Sequence, residues 1–294
     1  MAAPLIFDRR AYTMHRARAA RRGCASFLGA DVGENLGERL SAVRRRFRHG
    51  LDLGSRPAIF RFLEPHADRW TRASLAVEEI ASSANSVVAD EETLPFAENC
   101  FDLVVSALSL HAVNDLPGAL VQIRRALAPD GLFLAALFGG STLVELRSAF
   151  ASGESDVVGG ASPRIAPFAD VRDLGSLLQR AGFALPVADV ERTTVRYGKF
   201  ATLAADLRAL GESNALMERS RLPMRRDVLA ASLKHYAARK AGGELHASFD
   251  VIYLTGWAPH ESQPKPLKPG SARVRLADAL GAPVKLEDWP VKRP

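Results

Sequence analysis

Short apolar runs alternate with helical stretches through the first half of the chain. Five runs are predicted to be strands: Phe47–Leu53, Trp70–Leu75, Ser86–Ala89, Phe101–Leu108 and Leu132–Phe138. The stretches predicted to be helices between them are Arg56–Glu64, Val77–Ser83 and Leu116–Leu127. Strands that alternate with helices of about ten residues are typical of βαβ units. The pattern therefore predicts an α/β fold, in which a central, mostly parallel sheet has helices on both faces.

Further elements are predicted before and after this alternating region. Helices Arg9–Arg22 and Glu34–Arg46 precede the first strand. After Phe138 we predict the helices Ser141–Phe150, Asp170–Ala181, Phe200–Leu210 and Arg225–Arg239, a Gly/Ser/Pro-rich loop Ser152–Ala166, an extended run Ala188–Tyr197 and a last strand Phe249–Trp257. This order predicts an N-terminal helical extension (1–46), a domain (47–258) and a Pro-rich C-terminal arm (259–294). Within the domain, a core (47–138) is followed by a mainly helical segment (139–245) inserted before the last strand.

The composition is that of a globular protein. The chain has 294 residues, of which 47% are hydrophobic and 24% charged, and this excludes disordered, collagen-like and coiled-coil proteins. No apolar run approaches the roughly 18 to 20 residues that a membrane span needs, so no transmembrane segment is predicted. Cys24 and Cys100 form neither a disulfide framework nor a zinc motif, and this favours a reducing, cytosolic compartment.

Positive charge is concentrated at the start of the chain. Residues 1–72 contain 15 arginines and 7 acidic residues, whereas the formal net charge of the whole chain is +6. Such a segment is compatible with an acidic partner, a peripheral membrane contact or a transit peptide. Because Asp8 interrupts the basic run and Leu5-Ile6-Phe7 forms an apolar anchor, we predict that the segment is part of the fold. The run Arg44–Arg46 lacks interleaved aromatic residues, so no nucleic-acid role is predicted.

A glycine turn follows the first predicted strand. Asp52-Leu53-Gly54 leads directly into Ser55-Arg56 and the next helix. Glycine lets the backbone approach a ligand closely, and the start of a helix offers free N–H groups. Because ligands collect at this end of a doubly wound sheet, Asp52, Gly54, Ser55 and Arg56 are candidate binding residues. A tight turn without a ligand is the alternative.

Polar residues also follow the later strands. Asp90 and Glu91 come directly after the third predicted strand, where a carboxylate can accept a hydrogen bond from an exocyclic amine such as that of adenine. A solvated acidic loop is the alternative. Ser106 lies near the end of the fourth strand, and Pro129-Asp130-Gly131 turns a helix into the fifth.

In this order and spacing, these segments resemble the class I S-adenosylmethionine-dependent methyltransferases. The resemblance covers residues 47–138. It implies a Rossmann-like fold with S-adenosyl-L-methionine as cofactor. The turn at Gly54 would wrap the amino-acid part of the cofactor, Asp90 and Glu91 would meet the adenine, and the stretch that begins at Ser106 would close one wall. The segment 139–245 would then lie on the substrate side.

Motifs outside this core extend the resemblance over nearly the whole chain. They include Ile6-Phe7-Asp8-Arg9, Leu108-Ser109-Leu110-His111, Gly211-Glu212-Ser213-Asn214 and His260-Glu261-Ser262-Gln263. Together they resemble the mitochondrial complex I assembly factor 5 type and its bacterial relatives. This resemblance implies assistance in the assembly of respiratory complex I. An iron–sulfur subunit is the implied partner, because the mitochondrial member is associated with hydroxylating an arginine there.

Two positions depart from the family's pattern. The family's loop usually contains further glycines, whereas Gly54 is followed by Ser55-Arg56-Pro57. Arg56 would either pair with the cofactor's carboxylate or block its pocket. The acid that normally binds the ribose is replaced by Ser74, with Glu78-Glu79 one turn later. Because a serine makes fewer hydrogen bonds to ribose than a carboxylate does, weakened cofactor binding is predicted.

His111 is the one candidate catalytic residue. A neutral imidazole after the fourth strand can act as a base. The alternative is a structural histidine that bridges Ser109 and Asp115. No metal site is predicted, because His260-Glu261 lacks a matching third ligand and no facial set of two histidines and a carboxylate is present.

The leading hypothesis is therefore a methyltransferase-like protein that modifies a protein side chain and assists complex I assembly. Three alternatives stay open: an arginine hydroxylase-type assembly factor, a small-molecule or acyl-carrier carboxyl methyltransferase, and a catalytically silent assembly chaperone. The expected location is the cytoplasm of a bacterium, or the mitochondrial matrix if the chain is eukaryotic.

Overall fold

Five consecutive strands and two later ones form the central sheet. The structure, a computed structural model, describes residues 5–23, 27–238 and 244–264. The strands are β1 (Phe47–Leu53), β2 (Ala67–Ser74), β3 (Ser86–Val88), β4 (Phe101–Ala107), β5 (Leu127–Phe138), β6 (Ala184–Tyr197) and β7 (Leu245–Trp257). Their order is β3-β2-β1-β4-β5-β7-β6. Strands β1 to β5 run parallel, and β7 pairs antiparallel with both β5 and β6. This sheet confirms the predicted mostly parallel α/β fold.

Helices cover both faces of the sheet. They are α1 (Arg9–Arg22), α2 (Phe27–Ala42), α3 (Pro57–Leu63), α4 (Val77–Ile80), α5 (Leu116–Ala126), α6 (Val144–Val158), α7 (Val171–Arg180), α8 (Phe200–Ala209) and α9 (Arg226–Ala237). Successive residues of a strand point to opposite faces. On β4, Leu103 and Val105 therefore pack with α2, α3, α6, α8 and α9, whereas Val104 packs with α5 and α7.

The chain divides into two compact units, residues 1–260 and residues 261–294. All the helices and strands named above lie in the first unit. The predicted Pro-rich arm falls outside the described residues from residue 265 onward. The predicted boundaries at residues 46/47, 138/139 and 258/259 stay predictions.

Helix α1 has the predicted bounds, but its apolar anchor differs from the prediction. Asp8 caps the helix by accepting a hydrogen bond from the Ala11 N–H. Phe7 is buried, whereas Leu5 and Ile6 are 62% and 43% exposed. The backbone holds this segment instead, because the N–H groups of Ile6 and Phe7 both donate to Asn114 Oδ1 at 2.8 Å.

Helix α2 begins earlier than predicted, at Phe27 and not at Glu34. Its three glycines reduce helix propensity, but one of them lies where α2 packs closely on α3. A Cβ at Gly33 would lie 2.5 Å from the Phe62 ring. Leu28 and Val32 are fully buried in this contact layer, and tertiary packing therefore overrides the local preference.

The prediction of a loop over Ser152–Ala166 is wrong for the first half of that range, because α6 continues to Val158. Gly153 is buried where α6 crosses α9, and a Cβ there would lie 2.5 Å from the Ser232 Cα and closer still to its backbone nitrogen. Glu154 is buried as well, ion-paired with Arg164 and bonded to Ser162. Local composition does not reveal these contacts with distant residues.

The close approach of α6 and α9 gives a stability prediction. Gly153→Ala should lower the free energy of unfolding by about 1 to 3 kcal/mol, because the added methyl group meets the backbone of α9. The usual gain of roughly 1 kcal/mol for replacing a helical glycine by alanine is smaller than this clash. Urea unfolding measures the change. Gly160→Ala is the control, because a Cβ there meets nothing within 4 Å, and equal stability of the two variants would contradict the packing described.

Candidate functional site

The carboxyl ends of β1 and β2 are joined by a buried ion pair. Asp52 is fully buried on β1, and Arg72 of β2 donates from Nε to its carboxylate at 2.8 Å. The same guanidinium donates from Nη2 to the Ser55 carbonyl oxygen at 2.8 Å. Burial raises the pKa of Asp52, and the charge of Arg72 opposes this rise. Asp52 and the Ser55 carbonyl therefore have partners within the chain, whereas the buried Ser55 Oγ has no hydrogen-bond partner among the described residues.

Gly54 ends β1 in a left-handed conformation with φ of 77°, which favours glycine. Its carbonyl oxygen accepts a hydrogen bond from Arg16 Nη2 of α1. Arg16 is 2% exposed and also donates from Nη1 to Tyr12 Oη at 3.1 Å and to Ser109 Oγ at 3.2 Å. A guanidinium from the N-terminal helix therefore lies against the glycine turn.

Glu79 lies between Arg16 and Ser74. Its carboxylate accepts from Arg16 Nε at 2.9 Å and from Arg16 Nη2 at 2.6 Å. Ser74 Oγ donates to Glu79 Oε2 at 2.7 Å. Glu79 comes from α4, one turn after β2, and is 1% exposed. The serine at the expected ribose position thus binds this glutamate.

A second arginine of α1, Arg9, binds the acidic pair Asp90 and Glu91 after β3. Arg9 Nη2 donates to Asp90 Oδ1 at 2.7 Å and to Glu91 Oε2. Glu91 is 1% exposed and also accepts a hydrogen bond from Ser109 Oγ. Asp90 and Glu91 therefore lie at the carboxyl edge of the sheet as expected, but they are neutralised from within the chain.

Arg56 turns away from the glycine turn toward the segment after α8. It donates from Nη2 to Glu212 Oε1 at 2.7 Å and from Nη1 to the Leu108 carbonyl oxygen at 3.1 Å. Pro57 begins α3 directly after it. Arg56 thus has a carboxylate partner within the chain, and its pairing with a cofactor carboxylate or its blocking of the pocket stays a prediction.

His111 lies in a short 3-10 helix, Leu110–Ala112, that follows β4. Its Nε2 lies 3.1 Å from Glu212 Oε2, and its buried Nδ1 has no hydrogen-bond partner among the described residues. The bridge between Ser109 and Asp115 is not formed. Ser109 binds Glu91, and Asp115 caps α5 by accepting from the Gly118 N–H at 2.8 Å.

A cavity of about 70 Å³ lies beside His111. Its walls include Phe7, Tyr12, Phe138, Phe168, Glu212 and Asn214. The His111 ring packs 4.9 Å from the Phe138 ring and 5.7 Å from the Phe168 ring, measured between centroids. Burial opposes ionisation of Glu212, but the charges of His111, Arg56 and Arg16 outweigh it and lower its pKa to about 2. The cavity therefore combines aromatic walls with one ionised carboxylate and with the guanidinium of Arg164, which is ion-paired with Glu154.

The structure brings most of the predicted residues together at one edge of the sheet. Gly54, Ser55, Ser74, Asp90 and Glu91 lie at the ends of neighbouring strands. Ser106 is fully buried within β4, and its Oγ has no hydrogen-bond partner in the described part of the chain. No ligand contact tests these assignments, and they stay predictions.

Sequence reasoning missed Arg9, Arg16, Arg72 and Glu212 as residues of this edge. A usable signal was the spacing of Arg9, Tyr12 and Arg16, which places all three on one face of α1. Glu212 lies in a motif that supported the family resemblance, but nothing local indicated its pairing with Arg56.

The described residues contain neither a metal-binding cluster nor a membrane-spanning helix. Among residues 5–23, 27–238 and 244–264, no group of three His, Cys, Asp or Glu residues is placed to hold a metal ion. In the same residues, no helix is both long and apolar enough to cross a membrane.

One family model and two solved structures match this chain. The methyltransferase-domain family model matches residues 63–135. The crystal structure of the YcgJ protein from Bacillus subtilis superposes with a TM-score of 0.53 at 12% identity, covering 76% of this chain and 98% of that one. A second structure, from Bacillus halodurans, gives a TM-score of 0.52 at 12% identity over 76% and 97% of the two chains. These likenesses concern the fold alone.

Relatives at higher identity cover most of the chain. The human protein named "Arginine-hydroxylase NDUFAF5, mitochondrial" is 41% identical over 285 residues, which is 93% of this chain and 83% of the relative. The Danio rerio protein of the same name is 40% identical over 86% of this chain and 81% of its own length. A malonyl-acyl-carrier-protein O-methyltransferase from Laribacter hongkongensis is 32% identical over 86% and 87% of the two chains. The chain therefore belongs to the NDUFAF5 family of methyltransferase-like proteins, which has the Rossmann-like class I methyltransferase fold.

Proposed function

We propose that this protein assists the assembly of respiratory complex I by binding an arginine-bearing segment of an iron–sulfur subunit. The relatives that are 40 and 41% identical over most of the chain are named arginine hydroxylases, and this supports arginine as the recognised side chain. The observation that carries the proposal is the cavity beside His111, where Glu212 is ionised among aromatic rings.

The walls of this cavity suit a planar cation. Tyr12, Phe7, Phe138 and Phe168 supply aromatic rings, and a guanidinium within about 6 Å of such a ring is attracted by its electrons. Glu212 supplies the carboxylate that a guanidinium prefers as an acceptor. Each carboxylate oxygen has two lone pairs, so Arg56 and His111 leave one on each oxygen for a further donor.

The cavity volume fits the end of a side chain better than a nucleoside cofactor. Its volume is about 70 Å³, whereas pockets for small molecules measure roughly 300 to 1,000 Å³. His111 is a positioning residue in this proposal, because its Nε2 lies beside Glu212 Oε2 and holds the carboxylate against the cavity.

The matched methyltransferase domain supports a site of the S-adenosylmethionine type on this fold. We propose that the site is impaired in this chain, because Ser74 donates to Glu79 and Gly54 accepts from Arg16. No step of the proposed function depends on the cofactor. The names of the relatives support a mitochondrial location for a eukaryotic protein. We propose the mitochondrial matrix in that case and the cytoplasm for a bacterial protein.

Capture of the iron–sulfur subunit tests the function. The full chain is mixed with the iron–sulfur subunits of complex I, and the bound fraction is compared between wild type and Glu212→Gln. We expect Glu212→Gln to weaken capture at least tenfold, about 1.4 kcal/mol, because the carboxylate charge that binds the guanidinium is lost. Replacing the recognised arginine of the subunit by lysine should weaken capture by a similar factor, because lysine cannot bind a carboxylate with two parallel hydrogen bonds.

Glu98→Gln is the matched control for this experiment. Glu98 pairs with Arg125 at 2.6 Å, is 62% exposed and precedes β4 at the opposite edge of the sheet, so its removal should leave capture unchanged. Equal loss in both variants, or capture that ignores the arginine-to-lysine change, would contradict the proposal. Mass spectrometry of the captured subunit separates the alternatives, since hydroxylation adds about 16 Da, methylation about 14 Da and a silent chaperone nothing.

The ionised state of Glu212 predicts a dependence of stability on pH. A carboxyl whose pKa falls from 4.5 to about 2 on folding stabilises the folded state above pH 4.5. This contribution, about 3 kcal/mol at most, is lost as the pH falls through 2. Urea unfolding of wild type and Glu212→Gln between pH 7 and 3 should therefore show the smaller pH slope in the variant. Identical slopes would mean that Glu212 is not held as an anion by His111 and Arg56.

A further inference from the structure

The cleft at the carboxyl edge of the sheet lies between β1 and β4. The strand order reverses here, because the chain proceeds from β1 through β2 to β3 and returns to β4 on the other side of β1. Open α/β sheets bind their ligands at such a switch point. Of the polar groups that a ligand would meet there, the Gly54 carbonyl, Ser74 Oγ and the carboxylates of Asp90 and Glu91 each bind another side chain. Ser55 Oγ and Ser106 Oγ are buried without a hydrogen-bond partner among the described residues.

Helix α1 supplies the groups that fill this cleft. Arg16 contacts the glycine turn, Ser109 after β4 and Glu79 after β2, while Arg9 contacts the acidic pair after β3. Arg16 and Glu79 are 2% and 1% exposed. A buried guanidinium with this many hydrogen bonds has a fixed position, because leaving its partner unpaired in the protein interior costs several kcal/mol.

The space that glycine normally leaves for a ligand is also occupied. A Cβ at Gly54 would lie 2.7 Å from Ser109 Cβ and 2.9 Å from Glu91 Oε1. The nearby cavity lined by Arg56, Gly29 and Glu79 has a volume of about 150 Å³, below the roughly 300 Å³ at which small-molecule pockets begin. The protein's own side chains therefore lie where the backbone would approach a cofactor.

Displacement of a buried ion pair opposes the cofactor as well. The α-carboxylate of S-adenosylmethionine would be attracted by the buried guanidinium of Arg16, but its sulfonium and ammonium groups would meet the same positive charge. To bind, S-adenosylmethionine would have to separate Arg16 from Glu79. Glu79 Oε2 also accepts a hydrogen bond from Ser74 Oγ. The residues present do not fit the cofactor that the fold family implies.

We propose that α1 replaces the cofactor in this protein: Arg16, paired with Glu79, permanently fills the switch-point cleft, and the folded chain does not take up S-adenosylmethionine. The proposed recognition of arginine uses the cavity beside Glu212, whose wall includes Tyr12 of the same helix. The two proposals therefore share the position of α1, but they are tested by different experiments.

Binding to the unmodified full chain is the first test. Isothermal titration calorimetry with S-adenosylmethionine and with S-adenosylhomocysteine should show no saturable binding up to about 1 mM. The same ligand solutions should bind a working methyltransferase as a positive control. Saturable binding with a Kd below about 1 mM would overturn the proposal, whatever the result of the capture experiment with the iron–sulfur subunit.

Thermal melting of matched variants is the second test. Arg16→Met should lower the melting temperature by about 6 °C or more, because it leaves Glu79 buried without its ion-pair partner. The double variant Arg16→Met/Glu79→Gln should recover part of that loss, since it removes the unpaired charge. Arg21→Met is the control, because Arg21 joins the same two helices through Glu78 while 67% exposed. Its melting temperature should change by less than about 2 °C.

The outcome of the second test is decided by comparing the variants. A similar small shift for Arg16→Met and Arg21→Met would show that Arg16 is not held in the cleft, and the proposal would be wrong. If Arg16→Met does not fold at all while Arg21→Met does, the dependence on Arg16 is larger than predicted and the proposal is supported.

Discussion

The ion pair between Arg16 and Glu79 is the interaction on which the rest of the site depends. Both side chains are almost fully buried, and a charge in the protein interior is tolerated when it is paired and hydrogen-bonded. Every donor position of the Arg16 guanidinium that faces the strand ends has an acceptor. Helix α1 is thereby held across the carboxyl edge of the sheet. Tyr12, which faces the same way, then becomes part of the cavity wall beside His111.

This arrangement also explains part of the uneven charge distribution. The basic start of the chain is compatible with an acidic partner, a membrane contact or a transit peptide, but several of its arginines have acidic partners within the chain. Arg9 pairs with Asp90 and Glu91, Arg39 with Asp189, and Arg45 with Asp130. Arg72 pairs with Asp52 beneath the glycine turn. A large share of the N-terminal positive charge is therefore neutralised by the folded chain and is not free to bind a partner.

The fold could be predicted because its signals are local. The bounds of α1 and β1 follow from helical composition and from an apolar run that ends at a glycine turn, and both agree with the structure. The roles of individual arginines could not be predicted in the same way. Glu79 lies 63 residues after Arg16, and Glu212 lies 156 residues after Arg56, so neither pairing has a local signature. The arginine-rich helix α1 thus contributes the most buried arginine of the site.

The docking of α1 links the two halves of the site. Phe7 and Tyr12 line the cavity beside His111, and Arg9 and Arg16 on the same segment fill the cleft at the switch point. Moving α1 away to admit a cofactor would remove Tyr12 from the cavity wall and leave Glu79, Glu91 and Asp90 without their arginine partners. The aromatic cavity and an open cofactor cleft therefore require different positions of the same helix. In this chain the buried ion pair favours the position that completes the cavity, so the proposed recognition of a side chain and the proposed loss of the cofactor have one structural cause.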